Sequence, residues 1–276
     1  MSDFQVAYVP IGVPTFHLES AQIQFDKSVE LISSLTENGV YPKEMLLSID
    51  LLQEFLDGIH PDLIILQNIT FANAAYASEV LKKFDCPILL WTLREPVIDG
   101  GRLRLNSLTG AYSAANAIKS FHKEPLNYIF GAPEEEQVVA KVKATIRAAK
   151  LKHDMKQLKM AAVGHTPQGF GFGRALDLEM LQNFGVTLES IEARELIDVA
   201  KSYTDEEVEE YMQDASSRMC GLEATPEKNR KDFARLYKAY KEYVVNNHIG
   251  ALASRCWPDF FTAFGTPVCA ALAMLN

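Results

Sequence analysis

The segment 60-HPDLIILQ-67 predicts a strand that is buried on both faces. His60-Pro-Asp62 leads into Leu63–Gln67, a nearly continuous apolar run. Such runs are typical of parallel sheets, which helices cover on both sides. The sequence therefore indicates an α/β fold in this part of the chain.

The same alternation of strand and helix extends outward from this segment. Downstream, a helix is predicted from Ala72 to Phe84, and Cys86–Trp91 is a second buried strand. Further strands are predicted at Phe4–Pro10 and Leu126–Phe130. The other helices of this half are predicted at about Ala21–Leu35, Ser48–Leu56, from Leu105, and Pro133–Leu158. Strands and helices that alternate in this way are the signature of a doubly wound α/β domain.

The pattern restarts at Lys159, which predicts a domain boundary near residue 158. Strands are predicted at Met160–Gly164, at Gly185–Ile191 and from Ile249, and helices at Arg174–Phe184, at Leu196–Ala224 and from Pro226. We expect two consecutive doubly wound, Rossmann-like domains with mainly parallel sheets, residues 1–158 and 159–276. The last helix begins at Cys269 and has no C-cap signal before Asn276, so we expect the chain to continue into a further domain.

Composition and charge narrow the class of protein. The 276 residues are 48% apolar and 23% charged, which is typical of an ordinary globular protein. The net charge of −9 argues against a nucleic-acid or anionic-membrane partner. The N-terminus has no signal-peptide pattern, and no apolar run is long enough to span a membrane. The four cysteines have no CxxC spacing, so free thiols and a cytoplasmic location are expected.

Ligands of open α/β sheets bind beyond the carboxyl ends of the strands. Four regions follow predicted strands in this way: the loop of His17, Thr92–Pro96, Gly164–Gly173 and Arg255–Asp259. His17 and His165 lie in such loops, where each is either a ligand contact or a surface hydrogen-bonding residue. The other four histidines are predicted to be structural: His60, His122, His153 and His248. No HExxH or HxH motif is present, so the chain offers no self-contained metal site.

The glycine-rich loop 169-GFGFG-173 follows a predicted strand and precedes a predicted helix. This position suggests phosphate binding. Its spacing is GxGxG, however, and the end of the next strand lacks the acidic residue that dinucleotide binding would need, unless Glu189 or Glu192 is forced into that role. A tight strand-to-helix turn is the favoured interpretation.

The stretch 249-IGALASRCWPDFFTAFGTPVCAALAMLN-276 brings a cation, a thiol and an indole to a strand end. Trp257 is either a core residue or a flat apolar surface for stacking a sugar ring, with Arg255 donating hydrogen bonds to hydroxyl groups. Trp91 carries the same two alternatives. Cys256 is predicted to be a packed residue, although Arg255 beside it leaves a reactive thiol as the alternative.

The chain resembles the N-terminal and central domains of the L-fucose/L-arabinose isomerase-like family. The residues that carry this resemblance are Ala251–Pro258, Gly265–Cys269, Ala161–Phe170, Asn183–Val186 and Pro87–Trp91. The resemblance implies carbohydrate metabolism and an aldose–ketose isomerase that works through an enediol with a divalent metal, usually manganese. It makes residues 159–276 a central domain that precedes a C-terminal catalytic domain.

The resemblance places the metal ligands of the family beyond Asn276. No catalytic residue or metal ligand is therefore assigned, and this chain alone is expected to bind no metal and to be inactive. Arg255 and Trp257 are expected to border the substrate. In a homo-oligomer, Thr15, His17 and Trp91 are expected to reach a neighbouring subunit's site from strand-end loops.

Two other functions stay open. A pair of α/β lobes without chemistry of its own would suit a sugar-binding or regulatory module. A nucleotide-dependent enzyme that uses the glycine-rich loop is the third alternative. The sequence does not identify the sugar or its substituents.

Overall fold

The computed structural model describes residues 4–121, 125–173 and 175–276. His122, predicted to be structural, and Arg174, the predicted start of a helix, lie outside these residues. The chain divides into two compact units, Met1–His153 and Asp154–Asn276. The domain boundary near residue 158 stays a prediction.

The first unit contains a five-stranded parallel sheet in the order β2-β1-β3-β4-β5. Its strands are β1 Val6–Ile11, β2 Gly39–Val40, β3 Leu63–Asn68, β4 Ile88–Thr92 and β5 Tyr128–Phe130. The three central strands are buried over their whole length. The apolar run that the sequence shows at β3 is thus explained, because the strand has a covered face on either side.

Five of the described helices cover this sheet. They are α1 Leu18–Leu35, α2 Ile49–Asp57, α3 Ala74–Lys83, α4 Ser107–Phe121 and α5 Glu136–Met155. Side chains of α2, α3 and α4 pack on one face, where Ile64 and Leu66 point. Those of α1 and α5 pack on the other, against Leu63 and Ile65. The side-chain oxygens of Ser48 and Asn73 cap α2 and α3, because each accepts a hydrogen bond from a backbone N–H group of the helix.

The second unit contains a three-stranded parallel sheet in the order β7-β6-β8. Its strands are β6 Lys159–Val163, β7 Thr187–Ile191 and β8 Ala251–Ser254. Its helices are α6 Asp177–Phe184, α7 Ala193–Ser202, α8 Glu209–Arg218, α9 Glu227–Asn246 and α10 Cys269–Met274. Both sheets confirm the predicted α/β class with parallel strands and alternating helices.

The two faces of the second sheet are covered unequally. Val163, Ile191 and Leu252 face a core built with α7, α9 and α10. On the opposite side α6 contributes no buried residue. One sheet face therefore remains partly open, and it forms a wall of the cleft described below.

The single helix predicted over Leu196–Ala224 is wrong. α7 ends at Ser202, and α8 starts at Glu209 after a short 3₁₀ turn. Between them, the Glu207 carboxylate accepts the Thr204 N–H at 2.7 Å, and the Thr204 hydroxyl lies 3.4 Å from the Glu207 nitrogen. This reciprocal pair is a capping box, which starts a new helix where the acidic sequence alone suggests a continuous one. None of the described helices is both long and apolar enough to cross a membrane.

Candidate functional site

A cleft of about 440 Å³ opens at the carboxyl ends of the strands in the second unit. Its polar lining comes from the loop after β6, from β7 and from the end of β8: His165, Thr166, Ser190, Ser254 and Arg255. Met160, Ala162 and Ala253 form an apolar floor on the open sheet face. Hydroxyl groups and a cation above an apolar surface suit a small polar ligand.

Arg255 is held in place from three sides. Its backbone N–H donates to the Val163 carbonyl at 2.8 Å, which extends the pairing of β8 with β6. Its Nε lies 2.5 Å from an Asp259 carboxylate oxygen and 3.3 Å from the Trp257 carbonyl oxygen. Among the described residues, its two terminal nitrogens have no hydrogen-bond partner. They remain available as donors at the edge of the cleft.

Gly164 permits the close approach of Arg255 to the loop after β6. Its φ is +77°, a left-handed conformation that favours glycine. A Cβ atom there would lie 3.1 Å from the Arg255 Cβ and 3.2 Å from the Ala193 Cβ. Gly164 belongs to a site loop predicted from the sequence, but this role could not be predicted, because its neighbours are distant in the chain.

The two tryptophans occupy opposite environments. Trp257 is 57% exposed, so it is not a core residue. Trp91 is fully buried inside β4, and its Nε1–H donates to the Gly131 carbonyl at 3.0 Å. This corrects the expectation that Trp91 lies in a strand-end loop, because its indole belongs to the sheet and the core beneath α5. Trp91 offers no exposed face to a ligand.

Cys256 and Cys269 lie side by side, with 3.7 Å between their sulfur atoms. Burial raises the pKa of the Cys256 thiol, and the neighbouring Cys269 raises it further. A raised pKa disfavours the nucleophilic thiolate, which agrees with a packing role for Cys256. Cys220, Cys256 and Cys269 are free thiols, as predicted.

Thr15 and His17 lie together at the carboxyl edge of the first sheet. The imidazole Nδ1 of His17 caps α1 by accepting the Ser20 N–H at 3.2 Å. The Thr15 carbonyl accepts a hydrogen bond from Arg102 at 3.0 Å, and the Arg102 guanidinium lies 5.0 Å from the centre of the Phe16 ring. Arg102 could not be predicted from the sequence pattern, because only the fold brings the loop after β4 to the loop after β1.

The loop between β4 and α4 is held by two carboxylates. Glu95 accepts the backbone N–H groups of Arg104, Leu105 and Asn106 at 2.9, 3.1 and 2.5 Å. Glu135 receives two hydrogen bonds from Arg94, at 2.7 and 2.9 Å. This pairing with Arg94, aided by the Ala132 N–H, lowers the pKa of Glu135 to about 2. The loop that carries Arg102 is therefore ordered by its own polar contacts.

The described residues of the glycine-rich loop show no phosphate cradle. It turns at Gly169, whose φ is +87°, and passes through a short 3₁₀ turn at Gly171–Gly173. α6 begins only at Asp177, and its first turn contains the carboxylates of Asp177 and Glu179. Negative charge at that end disfavours a bound phosphate. Within the described residues, no group of three or more His, Cys, Asp or Glu side chains is arranged to hold a metal ion.

No family model matches the chain. It is 66% identical over 276 residues to the sulfoquinovose isomerase of Clostridium sp. (strain MSTE9), covering all of this chain and 62% of that protein. The sulfoquinovose isomerase of Priestia aryabhattai is 33% identical over 279 residues, again with 62% of that protein covered. That of Alkalicoccus urumqiensis is 30% identical over 278 residues, covering 98% of this chain and 61% of that protein.

None of these relatives bears the name of the L-fucose/L-arabinose isomerase-like family, so that resemblance stays a prediction. The chain spans about 62% of the length of the curated relatives it matches. Along essentially its whole length, the chain is thus similar to part of proteins named sulfoquinovose isomerase.

Proposed function

We propose that this chain is part of an aldose–ketose isomerase whose substrate is sulfoquinovose, a hexose with a sulfonate on C6. The observation that carries the proposal is the 66% identity to a sulfoquinovose isomerase over the full 276 residues. At that identity the fold is conserved and substrate preference is commonly retained, while the activity itself belongs to a longer protein.

The chemistry of the cleft supports a sugar ligand. Hydroxyl groups of Thr166 and Ser190 can exchange hydrogen bonds with sugar hydroxyls. The apolar floor at Met160 and Ala162 suits the C–H face of the ring. In this proposal the cleft binds and orients the sugar and excludes water from part of it.

Residues outside the cleft have proposed supporting roles. The exposed indole of Trp257 provides a stacking surface beside Arg255. In a homo-oligomer, Thr15 and His17 would approach the site of a neighbouring subunit. Burial removes Trp91 from this set unless the core of the first unit opens.

A divalent metal such as manganese would polarise the sugar oxygens during enediol formation. The described residues do not fit such an ion, since they contain no cluster of three or more ligating side chains. We therefore propose that the ligands of the metal belong to parts of the relatives that this chain does not span. A role in carbohydrate metabolism and a cytoplasmic location complete the proposal.

The test is to express the complete reading frame that encodes this chain and to assay sulfoquinovose turnover in D₂O by NMR. An enediol mechanism predicts a ketose product with solvent deuterium on the carbon that receives the proton. Turnover without deuterium uptake would contradict the enediol, and absence of any turnover would contradict the isomerase. Sugar binding without turnover, measured by calorimetry, would instead support the binding-module alternative.

A further inference from the structure

We propose that the end of the cleft at Arg255 and His165 is the subsite for the sulfonate group of the substrate. This inference rests on the proposed function. A sulfonate carries a permanent negative charge and three acceptor oxygens, so its subsite needs fixed donors and positive charge. Arg255 lines the cleft from the end of β8, and His165 lines it from the loop after β6.

The geometry of Arg255 suits an anion with several oxygens. Its Nε faces Asp259 and the Trp257 carbonyl, which fixes the plane of the guanidinium. Its terminal nitrogens have no partner among the described residues, so they can donate in parallel to two oxygens of one group. Arginine forms such forked contacts with oxyanions, whereas a lysine provides a single point charge.

The polar and apolar linings of the cleft come from different elements. Arg255 and His165 lie at the strand-end loops, together with the Thr166 hydroxyl. Among the described lining residues, the single carboxylate is that of Asp177, at the start of α6. The apolar floor is provided by the sheet. A ligand with its anion at Arg255 would then place its ring over the apolar sheet residues.

The other arginines that follow strands are less suited to this role. Arg94 donates to both carboxylate oxygens of Glu135, and Arg104 lies 3.7 Å from Asp99. Arg102 contacts the Thr15 carbonyl and the Phe16 ring. Among the described residues, Arg255 is the arginine that combines a fixed position, available donors and a cleft large enough for a hexose.

The subsite also explains how a sulfonated sugar would be distinguished from glucose. Glucose has a neutral hydroxyl on C6 and would leave the guanidinium without an anion. Polar groups that lose their partner in a ligand site are what gives strong discrimination. Arg255 would then act in substrate selection rather than in proton transfer.

The experiment compares Arg255→Gln with the unmodified complete protein in three measurements. These are the KM for sulfoquinovose, competitive inhibition by methanesulfonate, which contains only the sulfonate, and competitive inhibition by glucose, which contains only the ring. We expect the KM and the methanesulfonate inhibition constant to rise about 10- to 100-fold, as for loss of a charged hydrogen-bonded pair. The glucose inhibition constant should change less than about twofold.

Two further variants separate an effect on sulfonate binding from an effect on folding. His165→Gln should raise the same two constants several-fold, since His165 is exposed and has no partner in the described fold whose loss would unfold it. Arg194→Gln is the matched control, because Arg194 is an exposed arginine of α7 that pairs with Asp198. It should leave all three constants unchanged.

The outcomes separate this inference from the proposed function. If Arg255→Gln raises the inhibition constant of glucose as much as that of methanesulfonate, Arg255 binds the ring and the assignment of the sulfonate subsite is wrong. The subsite is also wrong if methanesulfonate fails to compete in the unmodified protein, even while sulfoquinovose is turned over. If the unmodified protein turns over no sulfoquinovose at all, the proposed function itself fails.

Discussion

Trp91 and Trp257 follow similar apolar runs, yet the Trp91 indole is buried and the Trp257 indole is exposed. The Trp91 indole is buried and donates to the Gly131 carbonyl, so Trp91→Phe removes a buried hydrogen bond. We expect it to lower the free energy of unfolding by about 1–3 kcal/mol. Urea denaturation followed by circular dichroism measures this difference.

The control for this prediction is Trp257→Phe. Because Trp257 is exposed, its replacement should change the free energy of unfolding by less than about 0.5 kcal/mol. Equal losses in the two variants would show that the burial of Trp91 has been assigned incorrectly.

For single residues, the sequence predicts the place in a strand or loop better than it predicts the burial of the side chain. Arg255 is correctly expected at the end of a strand, since local periodicity determines where a strand stops. Whether a tryptophan beside such an end is buried depends on which strand lies in the middle of the sheet. Trp91 belongs to an interior strand and Trp257 to a loop after an edge strand, and this difference arises from long-range pairing.

Between elements, the loop after β6 and the end of β8 meet at Gly164. Gly164→Ala would place a methyl group against Arg255 and Ala193 in a left-handed backbone conformation. The conformation alone costs about 1–2 kcal/mol of stability. We expect a further loss from the contact, together with a higher KM for sulfoquinovose as Arg255 moves.

Gly169→Ala is the matched control for Gly164→Ala. Its φ of +87° is similar, but a Cβ atom there would have no neighbour within 4 Å. It should lose only the stability that the backbone conformation costs, and it should leave the KM unchanged. If both variants lose the same stability, the approach of Arg255 to Gly164 contributes nothing.

A second contact between elements joins the loop after β4 to the start of α5. Arg94 holds the pKa of Glu135 at about 2, below the ordinary glutamate value of about 4.3. A carboxyl group with a lowered folded-state pKa stabilises the fold above its unfolded pKa. That contribution declines as the pH falls toward about 2.

Arg94→Gln tests this dependence on pH. The variant should be less stable than the unmodified protein near neutral pH, because Glu135 loses its two hydrogen bonds from Arg94. The difference in urea midpoint should shrink steadily as the pH is lowered from about 4 toward 2. A difference that stays constant over this range would mean that the Glu135 charge is not involved.

Most of the elements follow from sequence pattern, and the exceptions have local causes. β2 has only two residues, Gly39–Val40, which is too short to produce a periodic signal. The break between α7 and α8 depends on the reciprocal bonds of Thr204 and Glu207, which an acidic stretch conceals. The order of strands, and hence the cleft, could not be predicted because it depends on pairing between distant segments.

Over the whole molecule, the two sheets differ in how they are covered. The first has buried central strands with helices on both faces, whereas the second leaves one face partly open beside α6. The candidate cleft lies on that open face. Predicting two similar domains from strand–helix alternation therefore gives the fold class but not this asymmetry, which depends on how closely each helix packs.

The exposed side of α6 gives the last prediction. Leu178 is 78% exposed and Leu181 is 53% exposed, and Leu176 and Phe184 are exposed beside them. Clustered exposed apolar side chains bind apolar molecules and promote association. In the 276-residue chain, Leu178→Lys with Leu181→Lys should reduce both Nile red fluorescence and self-association in sedimentation velocity.

The free energy of unfolding of the same double variant shows whether these side chains are exposed to solvent or packed against another part of the protein. Exposed positions tolerate substitution, so the free energy of unfolding should change by less than about 0.5 kcal/mol. Val245→Lys provides the comparison, since Val245 is an exposed apolar residue of α9, on a different helix. It should leave dye binding unchanged. A loss of several kcal/mol in the double variant, as for a core substitution, would show instead that α6 is packed against the rest of the protein in solution.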